Sequence, residues 1–213
     1  MGLTIPPAMT PATAGARIGV FGGAFDPPHR AHRALAEAAL AQLALDALHI
    51  VPTGEAWHKN RVLSDADHRL AMARLAFGDL PHVHIDDQEL RRTGPSYTID
   101  TLHALQAIYP GCALYLILGE DQARALPTWH AWQAICQIAI ISIAQRPDIA
   151  LAKGTIGTEN GTAARFQPLQ TTPTALSATA IRSLVASGQR VDHLVSEPVA
   201  RYIDQHHLYQ TTR

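Results

Sequence analysis

Two histidines three residues apart, His29 and His32, are the side chains best suited to chemistry in this sequence. They stand in the stretch GGAFDPPHRAH (residues 22–32), where two glycines and an Asp-Pro-Pro turn separate an apolar run from a helical pattern. Side chains at this spacing share one face of a helix. Glycines let the backbone approach a ligand, and the N-terminus of the following helix attracts negative charge. The pattern favours a bound phosphate, to which both imidazoles can donate hydrogen bonds.

A purely structural turn, a zinc site and a dinucleotide site are the alternative interpretations of this stretch. A Gly-Gly turn between a strand and a helix is common for structural reasons alone. A zinc hydrolase built on the histidine pair would need a third ligand at a suitable spacing, and none stands nearby, so we predict no metal-binding residues. The G-x-G-x-x-G fingerprint is absent from this turn and G-x-x-x-x-G-K-[ST] from the whole chain, which argues against dinucleotide-dependent oxidoreductases and P-loop proteins.

Strand and helix patterns alternate along the chain. Nearly continuous apolar runs predict buried strands at 17–21, 47–52, 82–86, 113–118 and 138–143. Helical spacing predicts helices at 30–45, 65–77, 96–109, 127–135, 177–187 and 197–209, with Ser64 and Ser96 as caps of two of them. A long irregular connection, with one short strand at 164–169, separates the last strand from the two C-terminal helices.

Strict alternation implies parallel strands joined by right-handed crossovers. The predicted fold is therefore a doubly wound, Rossmann-like α/β sheet with helices on both faces, followed by C-terminal helices. Ligands in such sheets bind beyond the carboxyl ends of the strands. The histidine pair follows the first strand and so lies at that edge.

Composition narrows the class of protein. A formal net charge of -1, with 47% hydrophobic and 16% charged residues, allows a substantial core and gives no general attraction to nucleic acid or membranes. The two cysteines lack the spacing of a redox pair, which favours a cytoplasmic location. Residues 1–16 have no basic start and no continuous apolar segment, so we interpret them as a flexible extension before a single domain at 17–213.

The opening motif as a whole is far more specific than its parts. GGAFDPPHRAH resembles the G-G-x-F-D-P-x-H-x-x-H signature of the HxGH-type nucleotidyltransferases, which transfer a nucleotidyl group from a nucleoside triphosphate to a phosphate. Ala31 stands where that signature usually has glycine, and we expect this small replacement to preserve activity. The resemblance implies that His29 and His32 are catalytic and bind ATP, together with Gly22, Gly23, Phe25 and Asp26.

Further stretches, in the same order along the chain, narrow the resemblance. HIVPTGEAWHKN, DHRLAMARLAF, ELRRTGPSYTIDTL, LYLILGEDQARALPTWHAW and LSATAIR are similar to segments of bacterial nicotinate-nucleotide adenylyltransferases. The family implies a nucleotidyltransferase-type fold and adenylyl transfer from ATP to nicotinic acid mononucleotide. Deamido-NAD and pyrophosphate would be the products of this step of NAD biosynthesis. Mg²⁺ is implied as the ion that accompanies ATP.

The resemblance also assigns the remaining site residues. Gly119, Asp121, Ser177, Thr179 and Arg182 would complete the ATP site, the last of them as a catalytic group on the leaving pyrophosphate. The mononucleotide would be bound by His58, Lys59, Ser96, Tyr97, Thr98 and Trp129. Ala56 and Trp57 stand where two prolines are usual before His58. Ordinary capping would explain Ser96 and Ser177 equally well, and a core position would explain Trp129.

Two alternative functions stay open at this point. A related adenylyltransferase could accept nicotinamide mononucleotide or phosphopantetheine instead, although GPSYTIDTL and LPTWHAW argue against the second. A non-catalytic nucleotide-sensing module could keep the fold without the chemistry, but His29, His32 and Arg182 are all present. The sequence does not predict an oligomeric state.

Overall fold

A parallel sheet forms the centre of the computed structural model, which describes residues 15–54, 63–145, 165–172 and 176–210. Its strands in that part of the chain are β1 (Arg17–Gly23), β2 (Ala47–Pro52), β3 (Val83–Ile85), β4 (Ala113–Leu118), β5 (Ala139–Gln145) and β6 (Phe166–Gln170). Their order across the sheet is β3-β2-β1-β4-β5-β6, and every pairing is parallel. The order reverses between β1 and β4, as the predicted doubly wound fold requires.

Helices cover both faces of this sheet. They are α1 (Arg30–Leu43), α2 (Ala66–Phe77), α3 (Gln88–Arg91), α4 (Thr98–Ile108), α5 (Glu120–Ala125), α6 (Trp132–Ile138), α7 (Ala178–Ala186) and α8 (Glu197–Gln205). One buried cluster packs α1, α2, α7 and α8 against the sheet, and a second packs α4 and α6 against the opposite face. This arrangement confirms the predicted fold class, including the C-terminal helices. Within the described residues, no helix has the length and apolar character needed to cross a membrane.

Two of the predicted helix caps are wrong. Asp65, not Ser64, caps α2, because its Oδ1 accepts a hydrogen bond from the backbone N–H of Asp67 at 3.1 Å. Tyr97 occupies the N-cap position of α4, and Ser96 Oγ has no hydrogen-bond partner among the described residues. In both cases the helix begins later than periodicity suggested, so the serine falls outside the capping position.

The helix predicted at 127–135 is also wrong in its bounds. The structure has α5, which periodicity did not reveal, then a 3₁₀ turn at Leu126–Thr128 and then α6. Ala131 separates the last two with a left-handed φ of 52°, a conformation that stops a continuous right-handed helix. Trp129 is extended at this break, so its side chain is free to point away from a helical face.

The predicted N-terminal extension lies mostly outside the described residues. Its last two residues pack on the domain: Gly15 N–H donates to Gly111 at 3.2 Å, and the carbonyl of buried Ala16 accepts from Ala113 at 2.8 Å. The division of the chain into an extension and a single domain stays a prediction.

The reversal of strand order opens a cleft at the carboxyl edge of the sheet. β1 pairs with β2 as far as Gly23, but its pairing with β4 runs only from Arg17 to Val20. The last residues of β1 therefore have a strand partner on one side alone. The Gly-Gly turn and the histidine pair follow directly at this opening.

Candidate active site

A cavity of about 680 Å³ occupies the cleft between β1 and β4. This volume lies within the range of small-molecule sites. The lining includes every predicted site residue that the structure describes: Gly22, Gly23, Phe25, Asp26, His29, His32, Ser96, Tyr97, Thr98, Gly119, Asp121, Trp129, Ser177, Thr179 and Arg182. His58 and Lys59 lie outside the described residues. The described site residues, which are spread over more than 150 positions in the sequence, thus line one cavity.

The histidine pair stands at the start of α1. His29 is the N-cap residue with an extended backbone, and His32 lies in the first turn. Their rings stack with centroids 3.7 Å apart and planes 20° from parallel. The backbone N–H of His29 donates to Nδ1 of His32 at 3.2 Å. Because Nδ1 accepts this bond, neutral His32 carries its proton on Nε2, which makes that nitrogen the donor available to a ligand.

His29 is neutral at ordinary pH. Only 7% of the residue is exposed, and burial lowers the pKa of its imidazole to about 4. Its Nδ1 is buried and has no hydrogen-bond partner among the described residues. Burial disfavours the charged form because the protein solvates an imidazolium less well than water does. A polyanion in the cavity would change this balance, since negative charge close to a histidine favours protonation.

Helix α7 brings a cation, Arg182, to the loop that contains Asp26. Ser177 caps the helix, its Oγ accepting from the backbone N–H of Ala180 at 3.1 Å. Arg182 donates from Nη1 to the carbonyl of Asp26 at 2.8 Å and from Nη2 to Oγ1 of Thr179 at 3.1 Å. Its guanidinium is therefore held against the loop between β1 and α1. Two helix N-termini and one arginine make this part of the cavity suited to phosphates.

The opposite part of the cavity is lined by the start of α4 and by Trp129. Ser96 is buried, and Tyr97 and Thr98 are partly buried where α4 begins. The ring of Tyr97 lies 4.3 Å from that of His130, centroid to centroid. Trp129 is partly buried, packs against the core cluster and also lines the cavity. A planar aromatic group and a polar helix N-terminus thus face one space, which suits a ring that bears an anionic substituent.

Gly119 marks a place where no side chain is needed for packing. Apart from its two neighbours in the chain, no described residue has an atom within 4 Å of a Cβ built on Gly119, and its φ of -70° suits any residue. Glycine there leaves backbone open toward the cavity, as contact with a ligand would require. Asp121, in the first turn of α5, has a side chain that is 95% exposed and 3.9 Å from Arg124. Its carboxylate is accessible to a ligand hydroxyl.

Glu89 places a buried carboxyl group in the cavity wall that sequence patterns did not reveal. The residue is 7% exposed, and its Oε1 accepts from the hydroxyl of Thr101 at 2.8 Å. Burial raises the pKa of the carboxyl group above its usual value. Glu89 belongs to the four-residue helix α3, which is too short to produce a periodic pattern. Only its position shortly before the GPSYTID segment indicated, from the sequence, that Glu89 lies near the site.

Arg69 is a second buried group that sequence patterns did not single out. This arginine of α2 is 3% exposed and donates to the carbonyls of Ala24, Thr53 and Ser64 at 3.2, 2.6 and 2.9 Å. It therefore ties the turn after β1 to the loop after β2. In the sequence, this role was indicated only by an arginine placed among the apolar positions of the helical pattern at 65–77.

Fold and site together define a class of protein, the nucleotidyltransferases with a Rossmann-like parallel sheet. Residues 20–184 match the model of the cytidylyltransferase-like family. The chain belongs to this family and, within it, to the nicotinate-nucleotide adenylyltransferases. It is 58% identical over 195 residues to "Probable nicotinate-nucleotide adenylyltransferase" of Albidiferax ferrireducens, covering 92% of this chain and 98% of the relative. Identity to the protein of the same name from Methylibium petroleiphilum is 38% over 208 residues, 92% of this chain and 94% of that one.

Solved structures show the same fold. Nicotinic acid mononucleotide adenylyltransferase from Plasmodium falciparum, complexed with NaAD, aligns with a TM-score of 0.72 at 15% identity. The alignment covers 91% of this chain and 97% of that one. The same enzyme complexed with APC gives a TM-score of 0.73. These findings confirm both the family resemblance stated from the sequence and the nucleotidyltransferase type of the fold.

Proposed function

We propose that this protein transfers the adenylyl group of ATP to nicotinic acid mononucleotide, giving deamido-NAD and pyrophosphate in NAD biosynthesis. The observation that carries the proposal is the composition of one cavity. It combines a histidine pair and an arginine suited to a triphosphate with an aromatic, polar wall suited to a pyridine ring with a carboxylate. The names of the curated relatives support the same reaction.

The reaction is a direct displacement at phosphorus. An oxygen of the mononucleotide phosphate attacks the α-phosphorus of ATP in line. The new P–O bond forms as the bond to the α–β bridging oxygen breaks, and pyrophosphate leaves with that electron pair. A phosphate is already an ionised nucleophile, so neither a covalent enzyme intermediate nor a general base is required. Catalysis then rests on positioning two polyanions and stabilising charge in the transition state.

The phosphate side of the cavity supplies the charge stabilisation. His32 donates from Nε2 toward the bridging region of the triphosphate, and His29 contributes a second donor from the same turn. Arg182 lies across the loop and acts on the β- and γ-phosphates, which carry the growing negative charge as pyrophosphate departs. Ser177 and Thr179 support that position at the N-terminus of α7.

The opposite wall selects the acceptor. Trp129 stacks on the pyridine ring, while Ser96, Tyr97 and Thr98 present the N-terminus of α4 to its carboxylate. Ser96 supports this role because its buried hydroxyl has no partner in the described part of the protein. Gly119 and Asp121 line the same cavity, and an exposed backbone and a carboxylate suit the hydroxyls of a ribose. His58 and Lys59 remain candidates for the mononucleotide phosphate.

The Mg²⁺ ion of the proposed reaction would be held by the phosphates of ATP rather than by the protein. The described residues contain no group of three His, Cys, Asp or Glu side chains able to hold a metal. Mg²⁺ commonly keeps several waters and binds through substrate phosphates rather than through an all-protein cage. When bound with ATP it would neutralise phosphate charge, leaving His29, His32 and Arg182 to orient the oxygens.

Isotope placement tests the proposal. The protein is incubated with nicotinic acid mononucleotide, MgCl₂ and ATP labelled at either the α- or the γ-phosphorus. Adenylyl transfer predicts α-label in the dinucleotide and γ-label in pyrophosphate, in equal amounts, with neither product formed when the mononucleotide is omitted or EDTA is added. Label released as inorganic phosphate, or independently of the acceptor, would contradict the proposal.

A further inference from the structure

Asp26 has internal partners for its whole carboxylate, although the sequence suggested it as an ATP ligand. The residue is 1% exposed. Its Oδ1 accepts from the hydroxyl of Tyr209 at 2.7 Å, and its Oδ2 accepts from the backbone N–H of Ser64 at 3.2 Å. A carboxylate facing a triphosphate would repel it, and these bonds keep that charge within the protein. The contacts give Asp26 a structural link to two distant segments of the chain.

The backbone of Asp26 makes the contact that matters for the site. Its carbonyl accepts from Nη1 of Arg182 at 2.8 Å. The position of this oxygen depends on where the Asp26 side chain is anchored, because both belong to one residue in a short turn. Tyr209, 183 residues later in the sequence, thus connects to Arg182 through two hydrogen bonds.

The local backbone around Tyr209 is shaped to deliver this hydroxyl. His207 and Tyr209 follow α8 with φ values of 49° and 63°, in the left-handed region that side chains disfavour. Such a conformation persists only where surrounding contacts compensate for it. One such contact is the bond from the Tyr209 hydroxyl to Asp26, beside Met72. Burial and the neighbouring Asp26 charge raise the pKa of the phenol, so it stays a hydrogen-bond donor.

We propose that Tyr209 is a positioning residue which, through Asp26, holds the guanidinium of Arg182 where it binds the leaving pyrophosphate. The identity of that leaving group rests on the proposed function. Tyr209 itself is absent from the cavity lining, so it acts on the substrate only through the other two residues.

Removing one hydroxyl tests the link. Tyr209→Phe keeps the ring and deletes the bond to Asp26. Tyr202→Phe is the matched control. The hydroxyl of this C-terminal tyrosine is hydrogen-bonded to Nδ1 of His68 at 3.0 Å, and the residue does not line the cavity. We expect Tyr209→Phe to lower kcat about tenfold, as for loss of a charge-assisted hydrogen bond, with KM for nicotinic acid mononucleotide unchanged. Tyr202→Phe should keep the wild-type kcat. Equal effects of the two variants on kcat would overturn the proposal.

A double-mutant cycle with Arg182→Lys separates positioning from general stability. If Tyr209 acts through Arg182, the double variant is no slower than Arg182→Lys alone. Arg182→Lys has already removed the guanidinium that Tyr209 positions, so losing the Tyr209 hydroxyl has no further effect on kcat. Independent effects that multiply would show that Tyr209 supports the fold and not Arg182. Melting temperatures of all variants are measured alongside, and a kcat loss proportional to the unfolded fraction counts against the proposal.

Pyrophosphate binding distinguishes failure of this link from failure of the proposed function. Calorimetric titration with Mg²⁺-pyrophosphate should show binding weakened about tenfold in Tyr209→Phe and unchanged in Tyr202→Phe. This holds whether or not the wild type turns over the mononucleotide. If Tyr209→Phe does not fold, Asp26→Asn replaces it, since the amide disturbs the same contact. Wild-type pyrophosphate affinity in the folded variant would overturn the proposal.

Discussion

The buried imidazole of His29 makes a quantitative prediction about stability at low pH. Burial lowers the pKa of this group to about 4 in the folded protein, against about 6.5 when it is exposed in the unfolded chain. Between these values the unfolded state binds a proton that the folded state does not. The free energy of unfolding therefore rises with pH across this window and falls as the solution is acidified.

The size of the effect follows from the two values. Between pH 7 and pH 5, protonation of His29 in the unfolded chain should lower the free energy of unfolding by about 2 kcal/mol. Below pH 4 this loss levels off at about 3 kcal/mol. His29 is not the one histidine affected, because burial also lowers the pKa of His84. A difference between two proteins isolates the contribution of His29.

His29→Asn is the matched variant, because asparagine is a good residue for the N-cap position that His29 occupies. Urea unfolding at pH 7, 6 and 5 gives the free energy of unfolding of both proteins. The wild type should lose about 2 kcal/mol more than the variant between pH 7 and pH 5. Equal losses would show that His29 is protonated or solvated in the folded protein and is therefore not a neutral donor.

Three substitutions in the cavity have distinct expected effects. His32→Ala should lower kcat by at least about a hundredfold with ATP affinity nearly unchanged, measured by steady-state kinetics and calorimetry, while an unchanged kcat would remove His32 from the mechanism. Gly119→Ala should leave the melting temperature nearly unchanged, since the added Cβ has open space among the described residues, but raise KM for ATP; an unaltered KM would mean that no ligand lies there. Trp129→Ala should raise KM for the mononucleotide about tenfold, whereas Trp132→Ala, outside the cavity lining, should lower only the melting temperature. Similar kinetics for the two tryptophan variants would refute the stacking role.

The fold was predictable because its central strands are buried on both faces. ALYLIL is apolar throughout and ALHIVP nearly so, with His49 as its one polar residue, and the structure places them as β4 and β2 within the same bounds. The edge of the sheet where the site lies followed from strand alternation alone. Motif resemblance then named the residues, and those in the described ranges do meet in one cavity.

The parts that could not be predicted depend on local backbone turns and on contacts between distant segments. The left-handed φ of Ala131 interrupts a pattern that looks continuously helical, and no residue type at that position signals it. Ser64 and Ser96 are good capping residues one position too early. The bond from Tyr209 to Asp26 joins opposite ends of the chain, so only the path of the folded backbone reveals it. Glu89 was hidden for a similar reason, as its partner Thr101 lies on another helix.

Pyrophosphate release with alternative acceptors tests the proposed reaction most directly. The protein is assayed with ATP and Mg²⁺ in parallel reactions containing nicotinic acid mononucleotide, nicotinamide mononucleotide or phosphopantetheine. We predict rapid release with the acid, much slower release with its amide, and none with phosphopantetheine, because the proposal assigns the substrate carboxylate to the N-terminus of α4. Equal rates with acid and amide would contradict the carboxylate-selecting wall, and release with none of the three would leave a nucleotide-binding protein without transferase chemistry.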